Sequence, residues 1–313
     1  MRIAIIGSGY VGLAHGIGCI ELGHEVLFYD NSRARLEEIA GNKKLKVIDS
    51  IDYAIGGTEM CFICVPTPYN NGIDLSAIHD VSQKIASMLD KYKKYYTVVV
   101  KSTVLPGTTE SIVAPYFTER ELDFGLCFNP EFLTEISTSW TDDVSFKRDF
   151  WAKERIVIGE MDKRSGDILE ELYKPMDAPI FRVDLKTAEL CKYAANVMLT
   201  TKISFWNEMF LLCKDMGVDC GKVAEITSLD TRIGRYGTVF GKAFSGTCLP
   251  KDLAALNHFI RDFYKNDIHE TLLERVEMVN KFMFQEYGVR NDSNILSPLS
   301  QAYQSRSNCK NGR

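Results

Sequence analysis

Cys248 stands in the run Gly241-Lys242-Ala243-Phe244-Ser245-Gly246-Thr247-Cys248-Leu249-Pro250-Lys251-Asp252. The glycines permit tight turns and close approach of the backbone to a ligand. A thiol in such a loop, with the Lys251 cation near it in sequence, can be biased toward the thiolate, the form that attacks a carbonyl carbon. The plain alternative is a loop cysteine that acts as a small hydrophobe. Lys192 and Asn196 interrupt an apolar helical pattern running from Thr187 to Asp215, and their spacing of four puts them on one helix face. They read either as a surface pair or as polar groups aimed into a site. Glu131 and Glu135 would also share a face if their turn is helical. Paired acids can divide acid–base work, and a solvated acidic turn is the other reading.

These candidates need elements to hold them. Ile3 to Ile6 is a short continuous apolar run, the pattern of a buried parallel strand. Gly7-Ser8-Gly9-Tyr10-Val11-Gly12 follows, then a helical pattern through Leu22, a stop at Gly23, and a second strand, Glu25 to Tyr29, ending at Asp30. Strand, glycine turn, helix, strand and acid in this order form a dinucleotide site. Gly7 makes the turn, Gly9 lets a pyrophosphate approach the backbone, and Gly12 lets helix and strand pack closely. The amides at Tyr10 and Val11 open the helix whose N-terminus would meet the phosphates. Asp30 would bond the ribose hydroxyls and repel an added phosphate, which favours NAD over NADP.

Further strands are expected at Met60–Val65, Thr97–Val100, Phe124–Phe128, Arg155–Gly159 and Pro179–Val183, with helices at 31–40, 75–89 and 165–173. Cys61 and Cys64 make a Cys-x-x-Cys spacing, but on a strand they point to opposite faces, and no second pair completes a metal site. Pro66 and Thr67, and the segment Lys101-Ser102-Thr103 to Thr109, leave the carboxyl ends of strands, where open α/β sheets bind ligands. Ser137 to Phe150 is polar and irregular, a surface loop. From Leu185 the pattern turns helical: Thr187–Asp215, Val218–Leu229, Asp252–Tyr264 and Glu270–Tyr287. The reading is a doubly wound α/β domain over residues 1–184, an all-helical domain over 185–288 that dimerises, and a disordered tail over 289–313.

Composition narrows the function classes. The 313 residues suffice for two or three domains. A net charge of −5 gives no basic field, so a nucleic-acid partner is not expected. Nine scattered cysteines match reduced thiols rather than a disulfide scaffold. No apolar run reaches membrane length, so no membrane partner is expected and the location is expected to be the cytoplasm.

Taken in order, Gly7 to Gly12, Val65-Pro66-Thr67-Pro68, Lys101-Ser102-Thr103, Asn129-Pro130-Glu131-Phe132-Leu133, Lys192 with Asn196, and Gly241 to Asp252 resemble the nucleotide-sugar 6-dehydrogenase family, the UDP-glucose and GDP-mannose dehydrogenases. The resemblance covers roughly the first 285 residues. It implies a four-electron oxidation of a primary alcohol to a carboxylate with two NAD molecules. Cys248 would attack the aldehyde to give a thiohemiacetal and then a thioester. Lys192 and Asn196 would steady the oxyanion or a water, Glu131 would serve thioester hydrolysis, and Glu135, Thr103 and Asp252 would order water or the lysine. Thr103, Glu131 and Glu135 would also lie near the cofactor, with Lys101 shaping that side. Phe132, Leu133, Glu135, Lys192, Asn196, Tyr236 and Gly241 would contact the sugar nucleotide, for which UDP-glucose is favoured over GDP-mannose. A homodimer through the helical domain is implied.

Three features depart from the family pattern. Ile136 replaces a glycine after Glu135. Ser245-Gly246 replaces a glycine pair, with an expected strain at Ser245 of roughly 1 kcal/mol if its φ is positive. The family's second nucleotide-binding domain is expected to be missing, and 291–313 reads like the product of a frameshift or early stop. Two other readings follow: an NAD-binding dimerisation module without turnover, and a hydroxyacid dehydrogenase of the six-phosphogluconate type, which needs no catalytic cysteine.

Overall fold

The computed structural model describes residues 1–133, 150–151, 154–264 and 270–289. Glu135, most of the 137–150 loop and the 290–313 tail therefore lie outside the described residues. Eight strands form one sheet: β1 (Arg2–Ile6), β2 (Glu25–Tyr29), β3 (Lys46–Ile48), β4 (Met60–Ile63), β5 (Tyr96–Val100), β6 (Phe124–Phe128), β7 (Ile156–Glu160) and β8 (Ile180–Asp184). Their order is β3-β2-β1-β4-β5-β6-β7-β8. The first six are parallel and doubly wound, with the switch of direction between β1 and β4. Strands β1, β4 and β5 are buried on both faces, which is why they read as unbroken apolar runs.

The sheet departs from an all-parallel expectation at one place. β7 pairs antiparallel to β6, with Cys127 opposite Glu160 and Phe128 opposite Gly159, and β8 then runs parallel to β7. The reversal brings the start of β7, and Arg155 just before it, to the carboxyl ends of β1–β6. β3 and the short helix α3 (Ile51–Gly56) are additions to the sequence reading; each is too brief to show a period.

Helices α1 (Tyr10–Glu21), α2 (Arg33–Ala40), α4 (Ser76–Tyr92) and α6 (Lys163–Tyr173) flank the sheet. A π-helical turn, Thr109–Val113, and α5 (Pro115–Thr118) follow β5. Phe150 is buried against Gly18 and the His15 ring, so this end of the expected polar loop belongs to the core. Cys61 and Cys64 fall in the cores on opposite sides of the sheet. Burial pushes both thiols up, that of Cys64 to about 12. Among the described residues no cluster could hold a metal ion.

Asp184 caps α7 (Leu185–Met216), accepting the N–H of Thr187 at 2.9 Å. Leu185 and Ala188 of this helix pack in the sheet's core, while Tyr193, Val197 and Ile203 pack in a separate helical core. That second core is completed by α9 (Leu249–Tyr264), α10 (Leu272–Tyr287) and Phe244, with α8 (Cys220–Thr227) beside α7. Among the described residues no helix is long and apolar enough to cross a membrane.

Candidate active site

Each glycine of the first turn has its own geometry. Gly7 has φ +92°, and a Cβ there would meet the Cys64 carbonyl oxygen at 2.7 Å. A Cβ on Gly12 would lie 2.0 Å from the Gly7 oxygen and 3.0 Å from Ile5, so this position welds α1 to β1. Gly9, the residue before α1, would meet nothing within 4 Å. Its surface, at the N-terminus of α1 where Tyr10 and Val11 form the first turn, is therefore open to an anion. Asp30, at the end of β2, accepts the N–H of Ser8 at 2.7 Å and of Ser32 at 2.9 Å. Arg35 donates to the Ser8 carbonyl at 2.7 Å, which sets a guanidinium beside the glycine turn and Asp30. Sequence reading passed over Arg35 because it stands among other charges on a polar helix.

At the ends of β4 and β5 two loops are stitched together. Thr67 Oγ1 donates to the Thr103 carbonyl at 2.7 Å, and Ser102 Oγ donates to the Val65 carbonyl at 2.6 Å. Pro66 is exposed and Thr67 buried. Lys101 is enclosed: its ammonium donates to Asn129 Oδ1 at 2.8 Å and stands 3.2 Å from Glu131 Oε2. Glu131 Oε1 accepts the N–H groups of Phe132 at 2.6 Å and Leu133 at 2.9 Å. Two amides and a cation hold this carboxylate in place. Asn129, which sequence reading left without a role, also accepts from the Tyr173 hydroxyl at 2.5 Å and donates to the Val157 carbonyl at 2.8 Å. Lys192 Nζ lies over the Phe132 ring, 5.5 Å from its centroid, and the Arg155 guanidinium lies over the same ring at 4.2 Å.

The helical side carries the cysteine. α9 begins at Leu249 rather than at Asp252, and the Cys248 carbonyl accepts the N–H of Asp252 at 2.9 Å. Cys248 is therefore exposed at the N-terminus of a helix, where the first-turn amides favour an anion. Lys251, the cation near Cys248 in sequence, donates to Asp252 Oδ1 at 2.6 Å. Asp252 is buried, and its other oxygen accepts from Asn196 Nδ2 at 2.6 Å. This bond fastens the first turn of α9 to α7, one helical turn beyond Lys192.

The loop before Cys248 is clamped from both sides. Gly241, with φ +81°, donates its N–H to Asn207 Oδ1 at 2.8 Å, and Asn280 exchanges two hydrogen bonds with Phe244. The strain expected at Ser245 is not present: the positive φ belongs to Gly246, at +88°. Tyr236 is half-buried in the segment leading to this loop, next to Gly237, which turns at φ +75° over the Lys202 chain.

Residues 1–177 match the NAD binding domain of the UDP-glucose/GDP-mannose dehydrogenase family in two overlapping segments, 1–43 and 34–177, and residues 186–282 match its central domain. The chain belongs to this family. Its similarity to GDP-mannose 6-dehydrogenase of Pseudomonas syringae pv. syringae is 37% identity over 287 residues, 82% of this chain and 64% of that protein. To UDP-glucose 6-dehydrogenase of Rickettsia bellii it is 35% over 305 residues, 90% of this chain and 67% of that protein. A UDP-glucose dehydrogenase structure from Pyrobaculum islandicum superposes with a TM-score of 0.80 at 33% identity, covering 91% of this chain and 68% of that one. The chain thus spans 64–69% of the length of the GDP-mannose 6-dehydrogenases it matches.

This family member uses NAD, and its residues fit that group. The open face at Gly9, the N-terminus of α1 and the Asp30 carboxylate form a cradle that a Cβ at Gly9 would begin to fill.

Proposed function

We propose that this chain oxidises the primary alcohol of a nucleotide sugar to the carboxylate through a covalent bond to Cys248. The observation that carries this reading is the buried Asn196–Asp252 hydrogen bond, which joins the helix opened by Cys248 to the helix bearing Lys192. NAD, when bound, supplies the hydride acceptor, one molecule for each oxidation. After the first oxidation the Cys248 thiolate adds to the aldehyde carbon, forming a C–S bond and an oxyanion. The Lys192 ammonium and the second N–H of the Asn196 amide stabilise that oxyanion. Loss of the second hydride leaves a thioester. Glu131 takes a proton from water, the hydroxide adds to the acyl carbon, and the C–S bond breaks to release the carboxylate and the thiolate. Phe132 and Leu133 border the sugar, Thr103 and Lys101 line the NAD side, and Tyr236 and Gly241 contact the sugar nucleotide from the segment before Cys248.

UDP-glucose is the favoured substrate, and GDP-mannose, the substrate named for the 37% identical relative, is the alternative. The same reading pairs two copies through α7. Met198, Phe205 and Leu212, seven apart on that helix, form an exposed apolar stripe suited to a second chain.

The test is NADH formation with each sugar nucleotide. A substrate should give about two NADH per sugar, and Cys248→Ala should give no acid. Acid formation that survives Cys248→Ala would overturn the reading in favour of a hydroxyacid dehydrogenase. NAD binding with no turnover of either sugar would favour a binding module.

A further inference from the structure

The loop that leaves β5, Lys101 to Thr108, is tied to α7 by one carboxylate. Glu189 is fully buried, and its two oxygens accept the N–H of Gly107 at 2.5 Å and of Thr109 at 2.8 Å. Gly107 turns at φ +92°, a conformation that side chains rarely adopt. Nearer the surface, Lys186 and Glu110 pair at 2.7 Å across the same junction. Burial pushes the Glu189 carboxyl up, although both N–H groups oppose the shift. An apolar residue would fill this space without that desolvation cost, but it could not hold two backbone amides.

Glu189, Lys192 and Asn196 follow one another at helical spacings of three and four, so they share a face of α7. That face makes three connections. Glu189 holds the loop bearing Thr103, Lys192 lies over Phe132 next to Glu131, and Asn196 binds Asp252 at the start of the Cys248 helix. We propose that Glu189 is a positioning residue for the NAD side of the site, fixing the Lys101–Thr108 loop to the α7 face that carries Lys192 and Asn196. The hydride acceptor and the covalent half of the site then share one reference element. For turnover this rests on the proposed dehydrogenase reading; for NAD affinity it does not.

The experiment titrates NAD by calorimetry into the full chain and into Glu189→Gln, Glu189→Asp and Lys186→Ala, with thermal melts of each. Glu189→Gln keeps the size but sets an amide N–H₂ group against backbone donors. It should weaken NAD binding about tenfold, the loss of one charge-assisted hydrogen bond. Its melting temperature should stay within about 5 °C of the parent. Glu189→Asp, which keeps the charge with a shorter reach, should fall between, and it carries the test if Glu189→Gln does not fold. Lys186→Ala should bind NAD like the parent. NAD affinity unchanged within about twofold in both Glu189 variants would overturn the proposal. So would a loss of affinity that merely follows the loss of thermal stability across all the variants. If the parent binds NAD but oxidises no sugar nucleotide, the catalytic reading fails while the affinity series still judges Glu189.

Discussion

Lys101 and Glu131 face one another with side chains 0% and 7% exposed. Truncating one partner of such a buried pair costs about 3–5 kcal/mol, because the other charge is left uncompensated. Lys101→Met should lower the free energy of urea unfolding by that order, and a loss under about 1 kcal/mol would show that the pair does not organise the loop. Both residues were readable in sequence as polar groups at strand ends, where ligands bind. Asn129 was not, because its partners come from the distant Val157 and Tyr173, and no local spacing announces them. The pairing of Lys251 with the adjacent buried Asp252 was not legible either, because an acid beside a lysine in sequence does not say whether the two side chains meet.

Among the elements, the first strand–turn–helix unit separates folding from binding. At Gly12 a Cβ collides with backbone, whereas at Gly9 it meets open space. Gly12→Ala should lower the melting temperature sharply. Gly9→Ala should leave it nearly unchanged and still weaken NAD binding, as calorimetry beside thermal melts would show. Equal melting temperatures for the two variants would contradict this division. The motif was legible because its glycines serve local backbone geometry. α9 starts at Leu249, three residues before the expected Asp252, and so takes in Pro250. Proline is tolerated in the first turn of a helix, where its missing N–H has no intrahelical partner to lose. That shift of a few residues turns Cys248 from a loop residue into one at a helix N-terminus.

In the molecule as a whole, α7 is about 48 Å long, at 1.5 Å per residue, and crosses from the sheet's core into the helical core. Gly159 of β7 lies against it so closely that a Cβ there would meet Ala188 at 2.7 Å. The two cores should therefore unfold together. NAD at about 100 times its dissociation constant should stabilise the whole by about 2.7 kcal/mol, in one calorimetric transition. Two transitions, only one of them moved by NAD, would refute the coupling. Fold class was legible because the sheet's apolar runs and the later helical periods are local signals. The direction of β7 was not, since a five-residue strand carries no record of which neighbour it pairs with or in which sense. The consequence falls on the site, because the reversal is what brings Arg155 to Phe132. Cys248 draws all of these elements to one chemical step, and the most direct test is intact-mass and peptide analysis of acid-quenched Glu131→Gln turning over UDP-glucose or GDP-mannose with NAD. The account predicts a nucleotide-sugar acyl adduct on the peptide containing Cys248, held because hydrolysis is slowed. Acid formation with no adduct there, undiminished in Cys248→Ala, would contradict it.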